Sequence, residues 1–316
     1  MINFILKRLG QLVPVILGVT LAVFLLGQII PGDAVDAQLG GMASEEDRQA
    51  LREQLGLEQN VFLQYFSYLW GLLQGDLGRS ATYNAPVLGI LLERLGNTAI
   101  IALPAVGLAA VVGVVAGVWA SLKPNSLRDR SVTVGVLLLT SMPSFWLGML
   151  LIILFGLTLR WLPVSGMQSI VGGGGPMDVL SHAILPILTL SAWSLAIITR
   201  MTRTSMLGVL SSDYVRSAEA RGLSKRQVVY GHALPNALPA VITVIGLQAG
   251  FQLSGAVLTE TVFSWPGIGY AMAQAITNRD MALLQGGILL IAVIFVFINF
   301  LVDVLYAWFN PKVKVS

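Results

Sequence analysis

Few side chains in this sequence are placed to do covalent chemistry. There is no cysteine, and the only two histidines are His182 and His232. A disulfide framework, a thiolate metal site and a cysteine nucleophile are therefore excluded, and a histidine-rich metal or haem site has too few ligands. No H-E-x-x-H pair occurs, and no Gly-Lys pair, so a zinc hydrolase helix and an ATP-hydrolysing P-loop are both missing. The glycine-rich stretch 171–176 (VGGGGP) follows no strand pattern and reads as a flexible loop. Two polar sets remain. One is the basic run 213–235, DYVRSAEARGLSKRQVVYGHALP. The other is sparse and sits in or beside apolar stretches: Ser141, Gln248, Gln252, Glu260 and Asp303. No Ser-His or paired-carboxylate set falls at one depth. These groups suit holding or passing a solute rather than breaking bonds.

The elements that position them are apolar. The 316 residues are 55% hydrophobic and 11% charged, with a mean hydropathy of +0.79. Soluble domains carry about a quarter charged residues. The chain is thus an all-α polytopic membrane protein. A bilayer core of about 30 Å needs roughly 20 apolar residues in a helix. Six segments qualify, at 9–30, 97–121, 131–159, 182–199, 237–259 and 283–309. The first is too long for a signal-peptide core and lacks a small-residue cleavage pattern, so it reads as an anchor. The expected organisation is a first span to residue 30, an outer segment 31–96, a core of five further spans 97–309 with a cytoplasmic loop 204–236, and a tail 310–316.

Charge orients the bundle. With the N-terminus inside, all five lysines fall inside, together with Arg8, Arg128, Arg130, Arg200, Arg203, Arg216, Arg221 and Arg226. Four of the six arginines left outside lie in the long first loop, where positive charge has little say in topology. Both termini are then cytoplasmic, and His182 and His232 lie on opposite sides of the membrane. In the outer segment, Ser44-Glu45-Glu46-Asp47 reads as a capped helix start with acids in its first turn, and Gly56 as its end. Residues 61–73, rich in Tyr, Phe, Leu and Trp70, suit the membrane interface. A cap over the helix ends is the expectation for them, ahead of a lid touching substrate.

The basic run has internal order. Ser212 or Asp213 caps a helix from Tyr214, and Gly222 ends it in the left-handed conformation that glycine adopts cheaply. Ser224-x-x-Gln227 is a capping box opening a second helix, and Pro235 and Pro239 bracket the return to the membrane. Ala218 and Gly222 stand four apart on one face, where another backbone can approach. A merely solvated loop needs none of this, so a helix–corner–helix handle for a soluble partner is expected.

This run resembles the loop motif of binding-protein-dependent ABC importer permeases, E-A-A-x3-G-x9-I-x-L-P. Gly222 matches the motif glycine, Ala218 the second alanine, and Leu234-Pro235 the closing pair. Arg216 stands in place of the glutamate, Ser217 of the first alanine and His232 of the isoleucine, a pattern similar to the peptide/opine/nickel branch. Further matches run in order along the chain: Ile30-Pro31-Gly32-Asp33, Gln54-Leu55-Gly56-Leu57, Gly75-Asp76-Leu77-Gly78, Ser141-Met142-Pro143, Leu258-Thr259-Glu260-Thr261, Trp265-Pro266-Gly267-Ile268-Gly269 and Asn310-Pro311. The resemblance implies a permease subunit in the bacterial inner membrane. Its implied partners are a homologous second permease, two ATPase subunits that carry ATP and Mg, and an extracytoplasmic binding protein. Membrane lipid surrounds it; no nucleic acid, metal or cofactor is bound by this chain. The coupling residues would be Asp213, Tyr214, Arg216, Ala218, Glu219, Arg221, Gly222, Leu223, Leu234 and Pro235. Arg216 removes any contact made through the motif glutamate. The substrate implied is a dipeptide or oligopeptide, with a nickel or other metal chelate, or a glutathione-like or opine-like solute, as alternatives.

The polar groups near the spans carry two readings each. Asp303 pairs with Arg200 or Arg203, or else lines a translocation path. Glu260 closes the fifth span ahead of a Gly/Pro-rich excursion, 263–270, that forms an outer plug or gate, or it is a solvated interfacial carboxylate. Ser141 marks a proline kink at a helix contact, or lines the path. Gln248 and Gln252 share one face and either join helices or meet substrate. The rival class, an ion-coupled secondary transporter, should show internal repeats and mid-membrane charges, and neither stands out here.

Overall fold

The architecture is described from a computed structural model covering residues 2–29, 44, 46, 49, 60–169, 172, 174–254 and 256–309. The expected helix after Ser44 and most of the 31–59 stretch lie outside these residues. So do the Asn310-Pro311 match and the tail.

The order is α1 (Ile2–Ile29), α2 (Val61–Leu73), a short antiparallel hairpin of β1 (Arg79–Ser80) and β2 (Ala85–Pro86), and α3 (Val87–Ser121). Then come α4 (Leu127–Ser141), α5 (Ser144–Leu151) with a π-helical extension Ile152–Thr158, and α6 (Pro176–Leu210). A short α7 (Asp213–Ala220) precedes a π-helical turn Gln227–Ala233 that runs into α8 (Leu234–Leu253). The chain closes with α9 (Val257–Val262), α10 (Ile268–Thr277) and α11 (Met281–Phe309). Five of these are long and apolar enough to cross a membrane, or six if the bent α4–α5 pair counts as one span. The end of the bundle holding the N-terminus is called inner below, the opposite end outer.

Four spans differ from expectation. α3 begins ten residues before position 97, because Val87 and Leu91 bury themselves with Ile268, Ala275 and Leu283 above the apolar run. The proline kink expected in the third span is a full break: α4 and α5 meet at 101°, with Met142 extended ahead of Pro143. Proline disfavours helical backbone in the residue before it, so the helix stops and restarts. α6 continues to Leu210, past the expected end at 199, and α8 stops at Leu253, short of 259.

The centre of the bundle is the pairing of α3 with α6. A Cβ on Gly113 would come within 3.0 Å of Ile198, and one on Gly117 within 2.6 Å of Thr202. Glycines four apart let two backbones approach closely, so dispersion replaces the hydrophobic drive that lipid cannot supply. A second pair, Gly246 and Gly250, seats α8 on Val302 and Ile298 of α11.

At the outer end Asp280 joins three elements. It accepts hydrogen bonds from the Ser80 hydroxyl, from the Thr82 backbone N–H at 3.0 Å and from the Leu283 N–H at 3.1 Å in the first turn of α11. Burial would push this carboxyl up, but those donors outweigh it and hold it below the usual carboxylate range. Its contribution to stability is thus present above the unfolded value of about 3.9. It is lost as pH falls through the depressed native value. Asp280→Asn lowers the thermal unfolding midpoint at neutral pH, reflecting roughly 1.5–3 kcal/mol per weakened charge-assisted bond. The gap to wild type closes on acidification; a gap independent of pH contradicts this assignment.

The inner handle and the polar groups of the spans

A 35-residue helix such as α6 is about 52 Å long at 1.5 Å per residue, well beyond a hydrocarbon core of about 30 Å. Its inner part therefore stands clear of the bilayer as a stalk. The returning helix, Gln227–Leu253, does the same. Loop 204–236 is accordingly mostly helical, and the handle is a corner on two protruding helices.

The corner is built as follows. Ser212 is the N-cap of α7 by position, and its hydroxyl turns back to Val209 instead of capping. The helix begins at Asp213. After Arg221 the chain turns through Gly222 at φ +83°, with the Gly222 N–H donating to Glu219 O at 2.9 Å and the Leu223 N–H to Ala218 O at 3.4 Å. A Cβ at Gly222 would meet nothing within 4 Å, so only the backbone conformation calls for glycine there. The capping box forms: the Ser224 N–H donates to Gln227 Oε1 at 2.9 Å, and the Gln227 N–H to Ser224 Oγ at 3.4 Å. The π-helical turn accommodates Pro235, which brings no N–H of its own. The Leu234 N–H reaches back to Val229 O, and Asn236 Nδ2 donates to His232 O at 2.7 Å.

Ala218 departs from expectation. It is 1% exposed, packed with Val215 and Val228 against Val209, Leu210 and Leu223. Its small size serves the closure of the corner onto its own stalk and offers no docking face. What the corner presents to solvent is Asp213, Tyr214, Arg216, Glu219, Arg221 and Gly222, with Lys225 and Arg226 beyond and Pro235 at the base; Leu223 and Leu234 are half-buried. A second apolar cluster, Val118, Met206, Val229, Ala233 and Ala237, locks both stalks to the inner end of α3.

The polar groups of the spans are mostly engaged within the chain. Asp303 pairs with Arg8 of α1, Nη1 to Oδ2 at 3.1 Å, and not with Arg200 or Arg203. Arg203 instead grips Asp129 at the start of α4 with two bonds, 2.5 and 2.7 Å. Sequence spacing could place neither α1 beside α11 nor Asp129 beside Arg203. Gln248 and Gln252 join α8 to α6: Ser194 Oγ donates to Gln248 Oε1 at 2.9 Å, and Gln252 Nε2 donates to Ser194 Oγ at 2.6 Å and to Leu190 O at 3.2 Å. Ser141 lies exposed at the break and donates to Leu137 O at 2.8 Å. Glu260 is completely buried, so the solvated interfacial reading fails. It accepts from Thr98 Oγ1 at 2.7 Å and from the Tyr270 N–H at 2.9 Å. Asn97 Nδ2 and Arg94 Nη1 both donate to Pro266 O, and Trp265 Nε1 donates to Asn97 O. The excursion 263–270 is thereby stitched to the outer part of α3. Arg94, Asn97, Thr98 and Asp129 were not singled out from sequence, since nothing local marks their partners. The two glycine pairs were legible as G-x-x-x-G.

Among the described residues no group of three or more potential metal ligands occurs.

Comparison with known proteins places this arrangement. The family described as binding-protein-dependent transport system inner membrane component matches residues 113–315, and its N-terminal companion model matches residues 1–102. The chain belongs to this family of inner-membrane permeases. It is 43% identical to a di/tripeptide transport system permease protein of Pseudomonas aeruginosa (strain UCBPP-PA14), over 99% of each chain. It is 40% identical to a dipeptide transport system permease protein of Escherichia coli (strain K12), and 39% to a glutathione transport system permease protein of Escherichia coli O6:H1, each over 99% of both chains. Among solved structures, the inward-facing MetNI methionine ABC transporter matches with a TM-score of 0.57 at 18% identity, covering 71% of this chain and 97% of that one. At that identity the likeness speaks for the fold alone. The permease is a transport component of a binding-protein-dependent system.

The packing of Ala218 makes a prediction. Ala218→Leu overfills the corner, at a cost of about 1–3 kcal/mol, and loosens it. Limited proteolysis of the membrane-inserted protein should cut between 211 and 226 faster than in wild type, whereas Ser217→Leu, on the exposed face, should leave the cutting rate unchanged. Equal rates for all three contradict the buried assignment.

Proposed function

We propose that this chain is one of two homologous permease subunits of an ATP-driven importer of dipeptides or oligopeptides. The observation that carries the substrate class is full-length identity of 40–43% to di- and tripeptide permeases. The glutathione relative fits the same class, since glutathione is itself a small peptide. Two ATPase subunits seat the exposed face of α7 and the Gly222 corner, and an extracytoplasmic binding protein delivers substrate at the outer end. Both termini are cytoplasmic, as the basic inner end requires. Closure of the ATPases on ATP pushes on the handle. Because the corner is packed onto α6 and onto the helix that runs from Gln227 through a π-helical turn into α8, the push reaches the spans, which rock between inward and outward access. The handle is mixed in charge, with Asp213 and Glu219 interleaved with Arg216 and Arg221, and Arg216 meets the groove where a carboxylate stands in the usual motif. Hydrolysis is the ATPases' work; this chain contributes the path and the lever.

The test is reconstitution in lipid with the second permease, the ATPases and the binding protein. Peptide-loaded binding protein should stimulate ATP hydrolysis and peptide uptake together. Gly222→Val inserts normally but forces a β-branched residue into the left-handed region, at about 1–2 kcal/mol of backbone strain. It should abolish uptake, while Gly222→Asn retains part of it. Uptake by the variant at the wild-type rate, or uptake that survives without ATP and collapses with an ion gradient, refutes the proposal.

A further inference from the structure

α2 is built inside out. Its sequence, VFLQYFSYLWGLL, holds no charged residue. Its polar tips point toward α1. The Tyr65 hydroxyl donates to Leu17 O at 3.2 Å and meets Thr20 Oγ1 at 3.0 Å, and Gln28 Nε2 donates to Gln64 Oε1 at 2.8 Å. The rings of Tyr65 and Tyr68 pack on Phe24, with centroids 5.4 and 5.9 Å away. The opposite face carries Phe62, Phe66, Trp70 and Leu73, each at least 65% exposed. Ser67 is the one hydroxyl on that side, and a helical serine can bond the carbonyl a turn back. A helix lying at the water interface would show the reverse, with polar groups outward.

Depth decides what covers this face. α1 ends at Ile29, and Thr20 is nine residues earlier, about 14 Å down the axis. A hydrocarbon core is about 30 Å thick, so Tyr65 reaches α1 near mid-bilayer. The neighbouring surface of α1 is apolar and open as well, through Leu17, Leu21 and Leu25. Neither helix therefore sits over the span ends as a cap.

We propose that α2 is immersed in the outer leaflet, and that its Phe62–Phe66–Trp70–Leu73 face is a lipid-binding surface for acyl chains. The helix then widens α1 into a two-helix paddle solvated by lipid. Hydrogen-bonding Gln64 and Tyr65 to α1 helps so short a helix stay in hydrocarbon, where unpaired polar groups are costly. The proposal rests on the membrane placement of this family and not on the transported solute.

The absence of native cysteine allows a direct test in the assembled importer. Phe62→Cys, Phe66→Cys and Trp70→Cys, each labelled with a nitroxide in lipid vesicles, are compared with Ala81→Cys on the exposed hairpin. Collisions with oxygen, which concentrates in hydrocarbon, and with a charged nickel chelate, which is excluded from it, are read by spin relaxation. Lipid immersion predicts a several-fold higher oxygen-to-chelate ratio at 62, 66 and 70 than at 81. A chelate-accessible face means water, and a face closed to both reagents means a protein neighbour; either overturns the proposal. Retained peptide uptake by the labelled variants shows that the assembly measured is native, so failure here is distinct from failure of the transport reading.

Discussion

The close approach of α3 and α6 at Gly113 and Gly117 is the contact on which the rest of this permease depends. Hydrocarbon offers no reward for hiding leucine from lipid, so two spans hold together only where backbones come close enough for dispersion to add up. That requirement fixes glycine at both positions, since a Cβ at either would press on Ile198 or Thr202. Both ends of the molecule hang from this seam. Outward, α3 carries Arg94, Asn97 and Thr98 to the 260–270 excursion. Inward, α6 runs on to the handle, and Val118 of α3 joins the apolar cluster that steadies it.

Around the seam, three ionic sites among the described residues are held by partners that the fold itself supplies. Asp129 and Arg203 close a two-bonded pair where α4 meets the inner part of α6. Arg8 and Asp303 tie the outlying α1 to α11. Glu260 is buried whole, and its two oxygens face a threonine hydroxyl and the first turn of α10. Buried polar groups of this kind are costly when broken and favourable only when complete. They fasten the start of α4 to α6, α1 to α11, and the 260–270 excursion to α3. α1 with α2 is a peripheral pair with most of its apolar surface open.

Much of this was legible in the sequence, and the rest was hidden for identifiable reasons. Hydropathy finds the part of a helix that must sit in lipid, so six spans were found but their aqueous extensions were not. Residues 204–210 read as loop and are stalk. Local rules worked where the interaction is local: the capping box at Ser224 and Gln227, and the left-handed Gly222, are as read. They failed where it is not. Ala218 was taken for a docking face because Val228, which buries it, is ten residues away across a turn. Asp303 was given the wrong arginine because only the packing of α1 on α11 brings Arg8 near. The G-x-x-x-G pairs stood in the sequence, but their partners did not.

The central claim is mechanical: the handle and its two stalks move as one body. Double electron–electron resonance between nitroxides at Ser217→Cys on α7 and Leu247→Cys on α8 tests it most directly. Position 217 lies on α7, before the Gly222 corner, and position 247 lies on the helix that returns from it, about 20 Å along the axis from the start of α8. In the reconstituted importer the 217–247 distance should stay the same, with the same width, whether the ATPases are empty or held closed on ATP. The distance from 217 to a label on the second permease should shift. A 217–247 distance that itself shifts or broadens with ATP would mean that the corner flexes, and that the push is absorbed before it reaches the spans.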